Sequence, residues 1–137
     1  MTGPILALRG AILGRAQADP MLAALMGGTV RLHDETPRAA EPVYAVFGEA
    51  AARDWSTGSD AGHAHEAAIV VWGAPGSACM ALDAAARLAD LLHEADLTLD
   101  GHRLVSLRVA AMETGRDDKT GFARAVLRLT ALTEVVG

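Results

Sequence analysis

Cysteine is almost missing from this chain of 137 residues: Cys79 stands alone. One thiol cannot close an intrachain disulfide, so a disulfide-stapled scaffold is excluded. Cys79 follows a helical pattern beside Met80 and Ala81 and is read as a packed thiol acting as a small apolar group. Aromatic residues are scarce at 4%, although 51% of the chain is hydrophobic. The core must therefore be built from Ala, Val and Leu, which bury modest area per residue. Lysine is nearly missing too, with Lys119 alone among scattered arginines and a formal net charge of −5. A protein that grips nucleic acid by its phosphates gathers cations on one face, so this balance argues against tight DNA or RNA binding. No apolar run nears the roughly 18 residues of a membrane span. The start, Met1 to Arg9, has no basic leader, and Arg9 interrupts its apolar run, unlike a signal peptide. The expectation is a cytoplasmic protein without membrane contact.

What is present is regular patterning over a length that fits one domain, residues 1–137. Pro4 to Ala18 has helical spacing, with Ile5, Leu8, Ile12 and Ala16 on one stripe, and Leu6 and Leu13 beside it. Asp19-Pro20 caps and restarts a short helix, which Gly27-Gly28 stops. Thr29 to Leu32 reads as a short strand, and 33–42 as a loop. Val43 to Arg53 and His63 to Trp72 read as strands around the turn-rich segment from Asp54 to Gly62. Both faces of the first are apolar at its start, which predicts cover on both sides.

Ser77 to Ala95 is the clearest helix, with Ser77 as its cap. Leu82, Ala85, Leu88, Ala89 and Leu92 form its buried face, and an Asp83–Arg87 pair lies on its solvated face. His102 to Glu113 and Phe122 to Val135 alternate apolar and polar residues as an antiparallel pair, with Val105, Leu107, Val109 and Ala111 on one face of the first. The charged stretch from Thr114 to Gly121 joins them and is too long for a tight hairpin. The predicted class is α+β: a mainly antiparallel sheet of two hairpins plus a short strand, flanked by two helices.

Catalytic constellations are missing. Gly76-Ser77-Ala78-Cys79-Met80 lacks the second glycine of a nucleophile elbow. The glycines at 27–28 and 73–76 make neither a P-loop nor a dinucleotide fingerprint. His63 and His65, two apart on a strand, share a face and can in principle hold a metal, with Asp54 and Asp60 near in sequence. No third ligand stands at motif spacing, and the simpler reading is a solvent-exposed strand start. Glu113, Asp117 and Asp118 read as a solvated or contact surface. Trp55, in a polar loop beside Arg53 and Asp54, has two even readings: an anchor for a partner, or a ring folded back on its own core. No catalytic, cofactor or metal residue is assigned. A small metal-dependent hydrolase using His63 and His65, or a dimeric small-ligand module, remain the rival readings.

The order and spacing of several segments resemble a known family. Pro42-Val-Tyr-Ala-Val-Phe-Gly-Glu, Arg53-Asp-Trp-Ser-Thr-Gly and Ile69-Val-Val-Trp72 are followed by a helix, then Leu99-Asp-Gly-His-Arg-Leu-Val and a charged hairpin. Together they resemble the tail completion, or tail terminator, proteins of long-tailed phages and gene transfer agents. The resemblance implies a structural, non-enzymatic protein. It implies a homohexameric ring that caps the tail tube protein, meets the head-completion or stopper protein, and lets DNA pass through its lumen. It also implies assembly in the bacterial cytoplasm and a final place at the neck of the particle. The expected contact residues are Arg53, Asp54, Trp55, Ser56 and Thr57 in one loop, and Arg116, Asp117, Asp118 and Lys119 in the other. An acidic lumen drawn from Glu49, Asp60, Glu66 or Asp118 would repel the DNA backbone and let it slide.

Overall fold

A computed structural model describes residues 2–136. Helix α1 (Pro4–Gln17) has Pro4 in its first turn, where a missing N–H costs nothing. It buries Ala7, Leu8, Ile12 and Ala16, while Leu6 turns out to solvent. Asp19 then caps α2 (Pro20–Leu25) by accepting from the Leu22 N–H at 2.8 Å. Gly27 and Gly28, both at positive φ, end that helix as expected. The short strand β1 spans Leu32–His33, later and shorter than its predicted place.

β2 (Tyr44–Asp54) and β3 (Gly62–Gly73) form the first hairpin, and β5 (His102–Arg116) and β6 (Ala123–Val135) the second. A two-residue strand, β4 (Thr98–Leu99), was not foreseen in the sequence. The six strands form one sheet in the order β1-β2-β3-β6-β5-β4, parallel only between β1 and β2. The predicted α+β class holds, with three helices among the described residues rather than two.

All three helices contribute to one apolar cluster on one face of the sheet. Leu8, Ile12, Leu22, Leu88 and Leu92 meet Ile69, Val71, Leu127 and Leu129 there. Among the described residues the other face carries no helix, and it is open away from the start of β2. Glu66, Arg128 and Thr130 project from it, and Tyr44 and Val46 lie in register beside Trp72 and Val70. At the start of β2 both faces are covered, as expected: Ala45 and Tyr44, on opposite faces, are both buried, and the helices supply the cover on the Ala45 side.

Helix α3 (Ala78–Leu92) departs from expectation in four details. Ser77 occupies the cap position, but its hydroxyl makes no capping bond. Leu82 is exposed, while Ala81, Ala84 and Leu91 join the buried face. Cys79 is exposed, because the first turn of α3 carries it on the side away from the sheet. Arg87 does not pair with Asp83. Its guanidinium forks onto Asp19, at 2.9 and 2.7 Å, and ties α2 to α3. The fork wins because the Asp19 carboxylate is largely withdrawn from water and offers both oxygens at once.

Two register shifts interrupt β5, between Leu104 and Ser106 and between Val109 and Ala111. The first turns Val105 out to 41% exposure, against its expected inward place. The strand then runs on to Arg116, so the joining segment is a compact tip at 117–122 rather than the longer linker predicted.

Candidate functional site

The expected contact residues come together in two groups and no further. Arg53 to Thr57 lie at the sheet end where β2 turns into β3, with Asp54 opposite His63. Arg116 to Lys119 lie at the other end, where Arg116 pairs with Ala123 and Gly73 lies beside Ala123. The 12 residues of β3 separate the two groups by about 40 Å at ~3.3 Å per residue.

At the first end, Trp55 is half-buried. Its backbone N–H donates to the Gly62 carbonyl at 2.9 Å. A Cβ built on Gly62 would sit 3.2 Å from the Trp55 ring and 2.8 Å from the Thr133 carbonyl. Glycine at 62 thus lets the ring fold back over the strand end, with part of its surface still in water. Ser56 donates its hydroxyl to Asp54 at 2.5 Å, and the Thr57 N–H donates to the Asp60 carbonyl at 2.8 Å. Arg53 reaches across to Glu66 at 2.9 Å on the open face, in an exposed pair of small energetic weight.

The tip at the second end is built by Asp117. Its carboxylate accepts from the Thr120 hydroxyl at 2.7 Å and the Thr120 N–H at 3.0 Å. These bonds, the hydroxyl's first, hold the carboxyl below its ordinary value. Gly121, at φ 74°, supplies the left-handed residue that lets the chain return. Asp118 and Lys119 are fully outside, and Arg116 is exposed. Thr114, Gly115, Arg116 and Arg124 face Ala78, Ala81 and Leu82 of α3 across an open groove of about 330 Å³.

The carboxylates proposed for a lumen do not share one surface. Glu49 and Glu66 line a shallow depression on the open face, Asp60 sits in the first loop and Asp118 on the opposite tip.

His63 and His65 do share a face, with ring centroids 6.4 Å apart. The exposed strand start expected of them is corrected: His65 is 4% exposed and shares a hydrogen bond of 2.9 Å with the Thr133 hydroxyl. Burial, and then repulsion from His63 and His102, lowers its pKa. His102 joins the pair from β5, also 6.4 Å from His63. Its distance in sequence hid it, and only the register of three strands brings it in. Among the described residues no group of three or more His, Cys, Asp or Glu side chains is arranged to hold a metal ion.

Comparison with known proteins completes the picture. The family model of the tail completion protein gp17 matches residues 10–134. The chain belongs to the tail completion protein gp17 family. A chain of the virion of a native gene transfer agent particle is similar over nearly its whole length. It covers 98% of this chain and 99% of its own, at 31% identity and a TM-score of 0.86. No curated protein sequence matches the chain. In this tail completion protein the two loop groups thus cap opposite ends of one sheet, and the resemblance read from the Trp55 and Trp72 segments is borne out.

Proposed function

We propose that this chain is a tail terminator: a structural protein that forms a homohexameric ring, closes the tail tube and offers its other side to the head-completion protein. The observation that carries the reading is the end-to-end likeness to a virion chain of a gene transfer agent particle. Two exposed loop groups at opposite ends of one rigid sheet support it, because a part seated between two neighbours needs contacts on two sides. Trp55 and Arg53 anchor one contact, and Arg116, Asp118 and Lys119 the other. Asp54, Ser56, Thr57 and Asp117 shape the loops that carry them. The whole chain acts as one domain, without catalysis or cofactor, assembled in the bacterial cytoplasm and retained in the particle. DNA passes through the lumen and is not gripped, in keeping with the net charge of −5.

Imaging of particles made without this protein tests the reading: separate heads and tails are expected. Trp55→Ala with Arg116→Ala should leave the circular dichroism spectrum unchanged and reduce joined particles. Joined, DNA-transferring particles from the deletion strain would overturn the function. Normal joining in the double variant alone would overturn only the residue assignment.

A further inference from the structure

The three histidines at the first end of the sheet form an arrangement that the tail role does not use. His65 and His102 are 4% and 5% exposed, and His63 is half-buried between them. His102 donates its Nε2–H to the Thr2 carbonyl at 2.9 Å. That bond fixes its neutral tautomer and leaves Nδ1 as a bare lone pair, which is buried without a partner among the described residues. His63 Nδ1 is likewise buried without a partner. A proton added to His65 would place a buried cation against these two rings, which costs free energy in the closed state.

Counter-charges do not relieve this. Among the described residues, the approach to α1 presents Thr2, and α1 itself the cation Arg9, which lines the same cavity wall as His65. β2 presents Asp54 opposite His63, but that carboxylate is exposed and takes the Ser56 hydroxyl. From the β4–β5 turn, Asp100 accepts the Thr2 hydroxyl. Arg103 and Glu134 pair with each other, with Asp60 nearby, and Glu66 pairs with Arg53 on the open face. β6 presents Thr133 and Ala131 to the rings, and neither carries a charge. The segments tied here are the approach to α1, the β4–β5 turn and the C-terminal end of β6, where the Val136 N–H donates to the Gly101 carbonyl at 3.1 Å.

We propose that His63, His65 and His102 form an acid-sensitive clasp. Neutral, the rings hold the N-terminal segment and the β4–β5 turn against the sheet. Protonated, His65 becomes a buried cation among imidazoles with no carboxylate to receive it, so this end opens while the α3 side stays closed. For each proton taken up on opening, the opening equilibrium rises by up to about tenfold per pH unit below the ordinary imidazole value of about 6.5.

Amide hydrogen exchange on the full chain reads this directly, as protection factors at pH 7.5 and 5.5. Ala7, whose N–H donates to the Gly3 carbonyl, and Val136 report on the clasp; Leu88 in α3 serves as the control. Protection at Ala7 and Val136 should fall at least tenfold while Leu88 holds. In His65→Gln with His102→Gln, which keeps donors but cannot titrate, the fall should shrink or vanish. Equal protection at both pH values, or an equal fall in the double variant, overturns the clasp. Should that variant fail to fold, the wild-type imidazole NMR titration decides: a His65 midpoint at or above about 6.5 overturns it too.

Discussion

Leu127 and Met112 face each other across the same strand pair, on the same side of the sheet, yet one is wholly buried and the other is 40% exposed. Helices α1 and α3 lie over β2, β3 and β6, and over β5 only as far as Leu107 and its neighbours. Beyond Val109 the β5 strand runs on uncovered, and every residue from Ala110 to Arg116 is exposed. β5 is therefore two objects: a core wall near Leu107, and an edge arm that runs beside the buried Ala123, Ala125 and Leu127 of β6 to the Asp117 tip. Alternation in a strand reports which side a residue takes. It says nothing of whether another layer lies on that side.

Core substitutions should divide these halves most sharply. Leu127→Ala, with the side chain 0% exposed, should cost about 2–5 kcal/mol through lost burial and a cavity. Met112→Ala, its register partner, should stay within about 0.5 kcal/mol. Urea unfolding of both variants checks this, and a similar loss in both would mean the arm is covered in solution. A smaller effect belongs to Gly73, where β3 passes under the start of α3. A Cβ there would sit 2.8 Å from the Ser77 carbonyl and 2.9 Å from the Ala81 methyl. Gly73→Ala should destabilise by about 1–3 kcal/mol through overpacking. An unchanged Tm would show that α3 can shift outward.

These contrasts also mark what the sequence could carry. The two hairpins, the Asp19 cap, the Gly27-Gly28 stop and the Ala85, Leu88 and Leu92 part of the α3 stripe were legible because each is set within a few residues. Ala125, Leu127, Leu129 and Ala131 were legible too, since β6 lies under helices along most of its length. The errors share another cause. Arg87 pairing with Asp19 rather than Asp83, the outward turn of Val105, and His102 meeting His63 all depend on partners distant in the chain or on a bulge. Nothing local encodes them. The family could be read from the order and spacing of the Pro42, Arg53 and Ile69 segments taken together. The faces that touch neighbours could not, because exposure alone does not name a partner.

The Asp19–Arg87 fork belongs to the covered half and gives that half its own acid limit. The Arg87 guanidinium, chiefly through its hydrogen bonds, lowers the Asp19 pKa to about 2. A carboxyl lowered on folding stabilises the fold above its unfolded value of about 4, and that contribution is lost as pH falls from there toward 2. Asp19→Asn keeps a capping oxygen but removes the charge, so it should flatten stability against pH in this window and change the cap little. Asp19→Ala should lose both. Thermal unfolding between pH 2 and 5 separates them, and an Asn variant as steep as wild type would assign the acid limb to other carboxylates.

The smallest effect on stability should come from the arm, and there it matters most. Arg116→Ala removes an exposed guanidinium whose neighbours, Thr114, Gly115 and Arg124, offer it no carboxylate. Unfolding should shift by no more than about 0.5 kcal/mol. An edge strand that runs outside the helical cover, as β5 does from Ala110 to Arg116, gains little apolar burial from its own last residues, so folding alone gives weak reason for its length. Contact with a neighbour supplies one. Size-exclusion and particle-joining assays on Arg116→Ala should therefore show a normally folded chain with impaired assembly. A variant that assembles normally but unfolds early would instead make the arm a support for its own fold.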